Sequence, residues 1–144
     1  MIETRRLTEK ELNAILETAP DTEKRNLVSF VNKLGLTPYI FFDTFAIEHS
    51  GIIVDCKPIY VAVLMEGDDK EFELWTVADR DIKHQYSLFK YSKRVLMKWV
   101  KKYKKIYATM EKINDKNMRW TSRLGFKKIL EDEHTITFCI EEGR

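Results

Sequence analysis

The chain has 144 residues, 44% of them apolar and 33% charged, with the two signs evenly mixed. That length fits one domain with a real core, anchored by three Trp, six Tyr and eight Phe, and the composition excludes global disorder. No apolar run reaches about 18 residues, and the opening MIETRRLTEKEL has no apolar stretch, so neither a membrane span nor a signal peptide is expected.

The net charge of +2 hides an asymmetry. Residues 1–72 carry 8 Lys and Arg against 13 Asp and Glu, and residues 73–144 carry 17 against 10. The excess is concentrated in KYSKRVLMKWVKKYKK (90–105), with eight basic residues and no acidic one. Such a segment attracts phosphate, acidic protein surface or nucleic acid. Cys56 and Cys139 each sit in an apolar run without C-x-x-C or His spacing, which reads as two buried, reduced thiols and no metal site.

In chain order, Ile2 to Thr4 reads as a short strand. Thr8 and Glu11 have the spacing of a capping box, opening a helix over about 9–18 with Leu12, Ile15 and Leu16 on one face. Asp21 is placed to cap a second helix bearing Leu27, Phe30, Val31 and Leu34, closed by Gly35. TPYIFFDTFAIEHSG, with Pro38 at its start and Gly51 at its end, reads as helix or helical turn, although its aromatics also suit a strand.

The period then changes. Residues 52–56, 59–65 and 71–78 form an antiparallel meander, with Lys57-Pro58 and EGDDK as the turns. A helix over 87–103 carries the stripe Leu88, Val95, Leu96, Trp99, Val100 and Tyr103. A strand at 105–112, a helix over about 115–124 and a closing hairpin turning at Glu131 to Glu133 complete the chain. This order predicts one α/β domain over 1–144, with a mixed sheet of about seven strands and flanking helices. The pair 71–78 and 105–112 is parallel across a helical, right-handed crossover.

The stretch NDKNMRWTSRLGF (114–126) carries the most specific motif. It resembles the N-x-x-[AS]-x-x-[LF]-Y-x-x-x-G-F pattern of the GNAT superfamily of N-acetyltransferases, with Asn114, Trp120 and Gly125-Phe126 in the matching positions. Residues 88–129 are also similar to GNAT-like proteins of tailed phages, among them the internal virion protein A family. The resemblance implies a GNAT-like fold and acetyl-CoA, or another acyl-CoA, as cosubstrate. It implies Val77, Arg80, Lys83 and Asn114 as residues of the CoA site and Glu73 as the general base.

Two departures from the family's pattern stand out. The loop that cradles pyrophosphate in the family is glycine-rich, whereas ADRDIKHQYSLFK (78–90) has no glycine; side-chain cations do not build a nest of amides. The tyrosine acid of the family is Thr121 here, too weak an acid to replace it. The expected role is therefore a divergent or non-catalytic GNAT-like protein, phage-encoded as the resemblance implies, acting through contacts with a phage or host protein, in virion morphogenesis or on a host target, in the host cytoplasm or the virion. An active N-acyltransferase with a divergent CoA site is the alternative. Nucleic acid is the disfavoured partner, because Tyr91, Trp99 and Tyr103 fall on or near the apolar stripe.

Overall fold

A computed structural model describes residues 2–19, 21–67, 71–79, 85–112 and 115–143, without the side chains of 22–26, 85–87 and 115. The element order is β1 (Ile2–Arg5), α1 (Glu9–Thr18), α2 (Asp21–Lys33), α3 (Pro38–Phe45), β2 (Ala46–Val54), β3 (Lys57–Glu66), β4 (Phe72–Ala78), α4 (Gln85–Tyr103), β5 (Lys105–Glu111), α5 (Asp115–Arg123), β6 (Lys127–Glu131) and β7 (Thr135–Glu141). The seven strands form one mixed sheet in the order β1-β2-β3-β4-β5-β7-β6. Its ladders are antiparallel except β4–β5, which is parallel as the crossover requires.

The sheet buries both faces. On one, α1, α2 and α3 close over Ile53, Val61, Val63 and Val77 with Leu12, Ile15, Val31 and Phe42. On the other, Leu88, Leu96, Trp99 and Val100 of α4, with Leu124 and Phe126 beyond α5, close over Ala62, Leu64, Ile106 and Phe138. Central strand β3 is therefore apolar on both sides, as a doubly covered strand must be.

Local chemistry explains the boundaries. The capping box at α1 forms: Glu11 N–H donates to the Thr8 hydroxyl at 3.2 Å, and Thr8 N–H donates to the Glu11 carboxylate at 2.9 Å. Arg5 grips the same carboxylate with two bonds of 2.7 and 2.8 Å, which together with the capping bonds holds the Glu11 pKa down at about 2. At the end of α5, Gly125 takes φ +110°, Phe126 N–H reaches back to the Thr121 carbonyl at 3.3 Å, and Phe126 enters the core.

The structure corrects several expectations. The segment 37–51 divides: Thr37 caps a short α3, and Ala46 onward is strand, because β3 pairs with β2 along its length. Gly51 ends no helix. It lies inside β2 under Leu7, where an added Cβ would stand 2.2 Å from a Leu7 methyl carbon. The β2–β3 turn is Asp55-Cys56, both at positive φ, and Lys57-Pro58 instead opens β3. Cys56 is consequently exposed, while Cys139 is buried as expected. Asp21 lies inside α2 as its first residue. Phe30 and Leu34, expected on the apolar face of α2, are half exposed at 47% and 51%.

Candidate active site

The parallel ladder between β4 and β5 has one partner pair among the described residues, Glu73 with Tyr107. Beyond it the strands part. A cleft of about 430 Å³ opens there, lined by residues 73–77 of β4, 108–111 of β5, and Asn117, Trp120, Thr121 and Leu124 from α5 and its end. Leu27 and Phe30 of α2 and Phe42 of α3 also line it. The cleft thus passes through the sheet, from the α2–α3 face to the α5 face. Among the described residues, the β4 edge facing it has no ladder partner in β5 beyond the Glu73–Tyr107 pair, which suits it to hydrogen-bond an extended ligand.

Glu73 stands where the strands diverge. It is half-buried, and desolvation raises its pKa above the usual carboxylate range, opposed by a hydrogen bond from the Trp75 side chain and aided by the negative charge of Glu71. The surface carboxylate that Glu73 would otherwise be is therefore a partly desolvated one in a cleft. Its charged form lacks a nearby cation among the causes of that shift. Trp75, two residues on and on the same face, stacks on Phe41 at 5.7 Å and 22°. Phe30 meets both rings edge-on, at 5.5 Å from Phe41 and 6.3 Å from Trp75.

On the α5 side, Trp120 packs edge-on to Phe89 at 5.6 Å, and its indole nitrogen is buried without a hydrogen-bond partner among the described residues. Thr121, in the position of the family's tyrosine, is 6% exposed and lines the cleft. Its hydroxyl donates to the Asn117 carbonyl at 2.8 Å and lies 3.9 Å from the Met110 sulfur.

Of the sequence-predicted site residues, Glu73 and Val77 both line the cleft, Val77 buried on the α1–α3 face. Arg80, Lys83 and Asn114 lie outside the described residues. Sequence reasoning missed Trp75, Phe30 and Phe42 as walls. The available signal was the strand period, which puts Trp75 on the same face as Glu73. The described residues fit the acyl and thioester end of an acyl-CoA: an open slot beside a parting strand pair, with apolar walls.

The basic segment 90–105 is partly neutralised from within. Lys102 pairs with Glu48 at 3.1 Å, Lys104 with Glu142 at 2.7 Å and Lys105 with Glu141 at 3.3 Å. Its aromatics belong to the protein: Trp99 is buried, and Tyr91 and Tyr103 pack against the core. No described helix is long and apolar enough to cross a membrane.

No family model matches the chain, and no curated protein matches it by sequence. Solved structures do match. PaiA N-acetyltransferase from Thermoplasma acidophilum, in complex with coenzyme A, superposes with a TM-score of 0.71 at 16% identity, covering 98% of this chain and 99% of that one. The ribosomal-protein-S18-alanine N-acetyltransferase from Escherichia coli gives 0.64 at 15% identity, covering 98% and 94%. A GNAT-family acetyltransferase from Bacillus anthracis gives 0.66 at 14%, covering 99% and 96%. Over nearly its whole length the chain has the fold of the GNAT N-acetyltransferases, the architecture that its Asn-to-Gly-Phe stretch led us to expect.

Proposed function

We propose that this chain is an acyl-CoA-dependent N-acyltransferase with a divergent CoA site. The observation that carries the proposal is the open cleft between β4 and β5, with a half-buried carboxylate at its vertex that has no cationic partner among the described residues. Bound acyl-CoA supplies an acyl group activated as a thioester. The unladdered edge of β4, including the backbone at Val77, holds and polarises the acyl carbonyl. Glu73 takes the proton of the acceptor amine, directly or through one water, as the carbon–nitrogen bond forms and the carbon–sulfur bond breaks. Water protonates the departing thiolate, because the Thr121 hydroxyl already donates to its own helix. Arg80 and Lys83 neutralise the phosphates, and Asn114 completes the CoA site.

The test is a calorimetric titration with acetyl-CoA, followed by an assay for free thiol with a panel of amines. Micromolar binding with thiol release is the expected result, and no binding at millimolar CoA would dispose of the proposal.

A second reading keeps the fold and removes the chemistry: a phage-encoded GNAT-like protein working through a phage or host protein partner, in virion assembly or on a host target. Thr121 is the observation in its favour, since the family's acid is replaced by a hydroxyl that is internally committed. Lys90, Lys93, Arg94, Lys98 and Lys101 on α4 would meet an acidic partner. Binding of CoA without thiol release from any amine favours this second reading.

A further inference from the structure

The two sides of the cleft differ in chemistry, and the difference bears on the acceptor. On the α2–α3 side the wall is Leu27, Phe30, Phe42, Val61, Val63 and Trp75. Among the described lining residues the charged side chains are two carboxylates, Glu73 and Glu111, and no cation. The Phe30 ring lines this side, in contact with Phe41 and Trp75 and still 47% exposed. Phe41 in turn meets Phe45 at 5.3 Å, and Phe45 is 51% exposed.

We infer that the acceptor is a small primary amine carried on an apolar, aromatic body, its ammonium drawn to Glu73 and its body seated on the Phe30–Trp75 wall. The inference rests on the acyltransferase reading and names the substrate class of the same cleft. An ammonium entering beside Glu73 would supply the counter-charge that no described lining residue gives this carboxylate, while an aromatic body would replace water on the rings. A polyamine is the poor fit. Beyond Glu73 and Glu111, its further ammonium groups would lie along Phe30, Phe42 and Trp75 and would give up hydration that the rings replace only in part. The cleft of about 430 Å³ also has to admit the thioester, which favours a small reacting end on the acceptor.

The experiment has two independent readouts on the full-length protein. The first is quenching of tryptophan fluorescence by phenethylamine, isoamylamine and spermidine, with Trp75→Phe identifying the reporting residue. The second is kcat/KM for the same amines with acetyl-CoA, alongside a short peptide with an N-terminal phenylalanine. Phenethylamine is expected to bind and to react at least about 30-fold better than spermidine, and Phe30→Ser to remove about tenfold of that preference. The half-exposed position of Phe30 lets the fold survive the change, which circular dichroism checks. A peptide outperforming phenethylamine supports the aromatic-amine chemistry and assigns its source to a polypeptide N-terminus. Quenching by phenethylamine without thiol release supports the wall's selectivity while refuting the acyltransferase reading. Thiol release with spermidine preferred overturns the inference and leaves that reading intact. Absence of both quenching and reaction with phenethylamine overturns the inference as well.

Discussion

The Thr121 hydroxyl donates to the Asn117 carbonyl at 2.8 Å, one turn back along α5, although the residue lines the cleft. A donor so engaged is a poor proton source for a leaving group. Thr121→Val should therefore leave kcat within about twofold of the parent, because the volume is kept and the lost bond is local to the helix. Steady-state kinetics on the purified variant decides the matter: a loss of a hundredfold would return Thr121 to the chemistry.

Glu73 makes a sharper demand. Glu73→Gln should lower kcat/KM by about 10²–10⁴-fold while leaving the dissociation constant for acetyl-CoA nearly unchanged. The pH dependence has a definite sign. Burial raises the folded-state pKa above the ordinary 4.5, so the folded chain holds the proton more tightly than the unfolded one. Stability therefore falls as pH rises from 4.5 through the folded pKa, and the rising limb of kcat/KM lies in the same window. Urea titrations of parent and E73Q across that range should diverge; parallel curves would mean that Glu73 is not desolvated.

His49 gives the opposite slope. Both of its ring nitrogens are buried without a hydrogen-bond partner among the described residues, beside Phe42 at 6.0 Å. Desolvation, aided by the charge of Arg6 and opposed by Asp43, lowers its pKa from 6.5 to about 4. The unfolded chain thus binds the extra proton first. The stability that neutral His49 contributes is complete above pH 6.5 and is lost as pH falls towards 4. The loss should be on the order of 1 kcal/mol after solvent screening, and His49→Leu should flatten the stability profile over that interval. An unchanged profile in the variant would rule this source out.

Gly51 tests the packing of β1 and α1 onto the sheet. A Cβ at that position overlaps the buried Leu7 side chain, with contacts of 2.2 and 2.3 Å. Gly51→Ala should cost about 1–3 kcal/mol in thermal or urea unfolding, and Leu7→Val in the same chain should recover part of it. A neutral Gly51→Ala would show that Leu7 has room to move.

The elements that sequence reasoning located are those where residue type and period agree. Thr8 and Glu11 announced α1, the stripe from Leu88 to Tyr103 announced α4, and Gly125-Phe126 announced the end of α5 and the strand beyond it. What it missed was decided by tertiary contacts. Ala46 to Ser50 has no strand period of its own and becomes β2 because β3 offers a ladder. Asp55-Cys56 turns at positive φ without the Asn-Gly or Asp-Gly signature of such loops, so sequence pattern alone places the turn two residues late. Glu73 was legible as a candidate from its strand position. The cleft that gives it meaning was not, since the parting of two strands is a backbone event that no side chain spells out.

The Glu73–Tyr107 rung, alone between β4 and β5 among the described residues, has a mechanical consequence. Strands β1 to β4 and strands β5 to β7 are two laddered plates joined, among the described residues, by one partner pair, so the sheet has a built-in seam. Amide hydrogens along that seam should exchange faster than those inside either plate. An extended ligand in the slot would act as a missing rung, slowing their exchange and raising the melting temperature in proportion to the logarithm of its concentration.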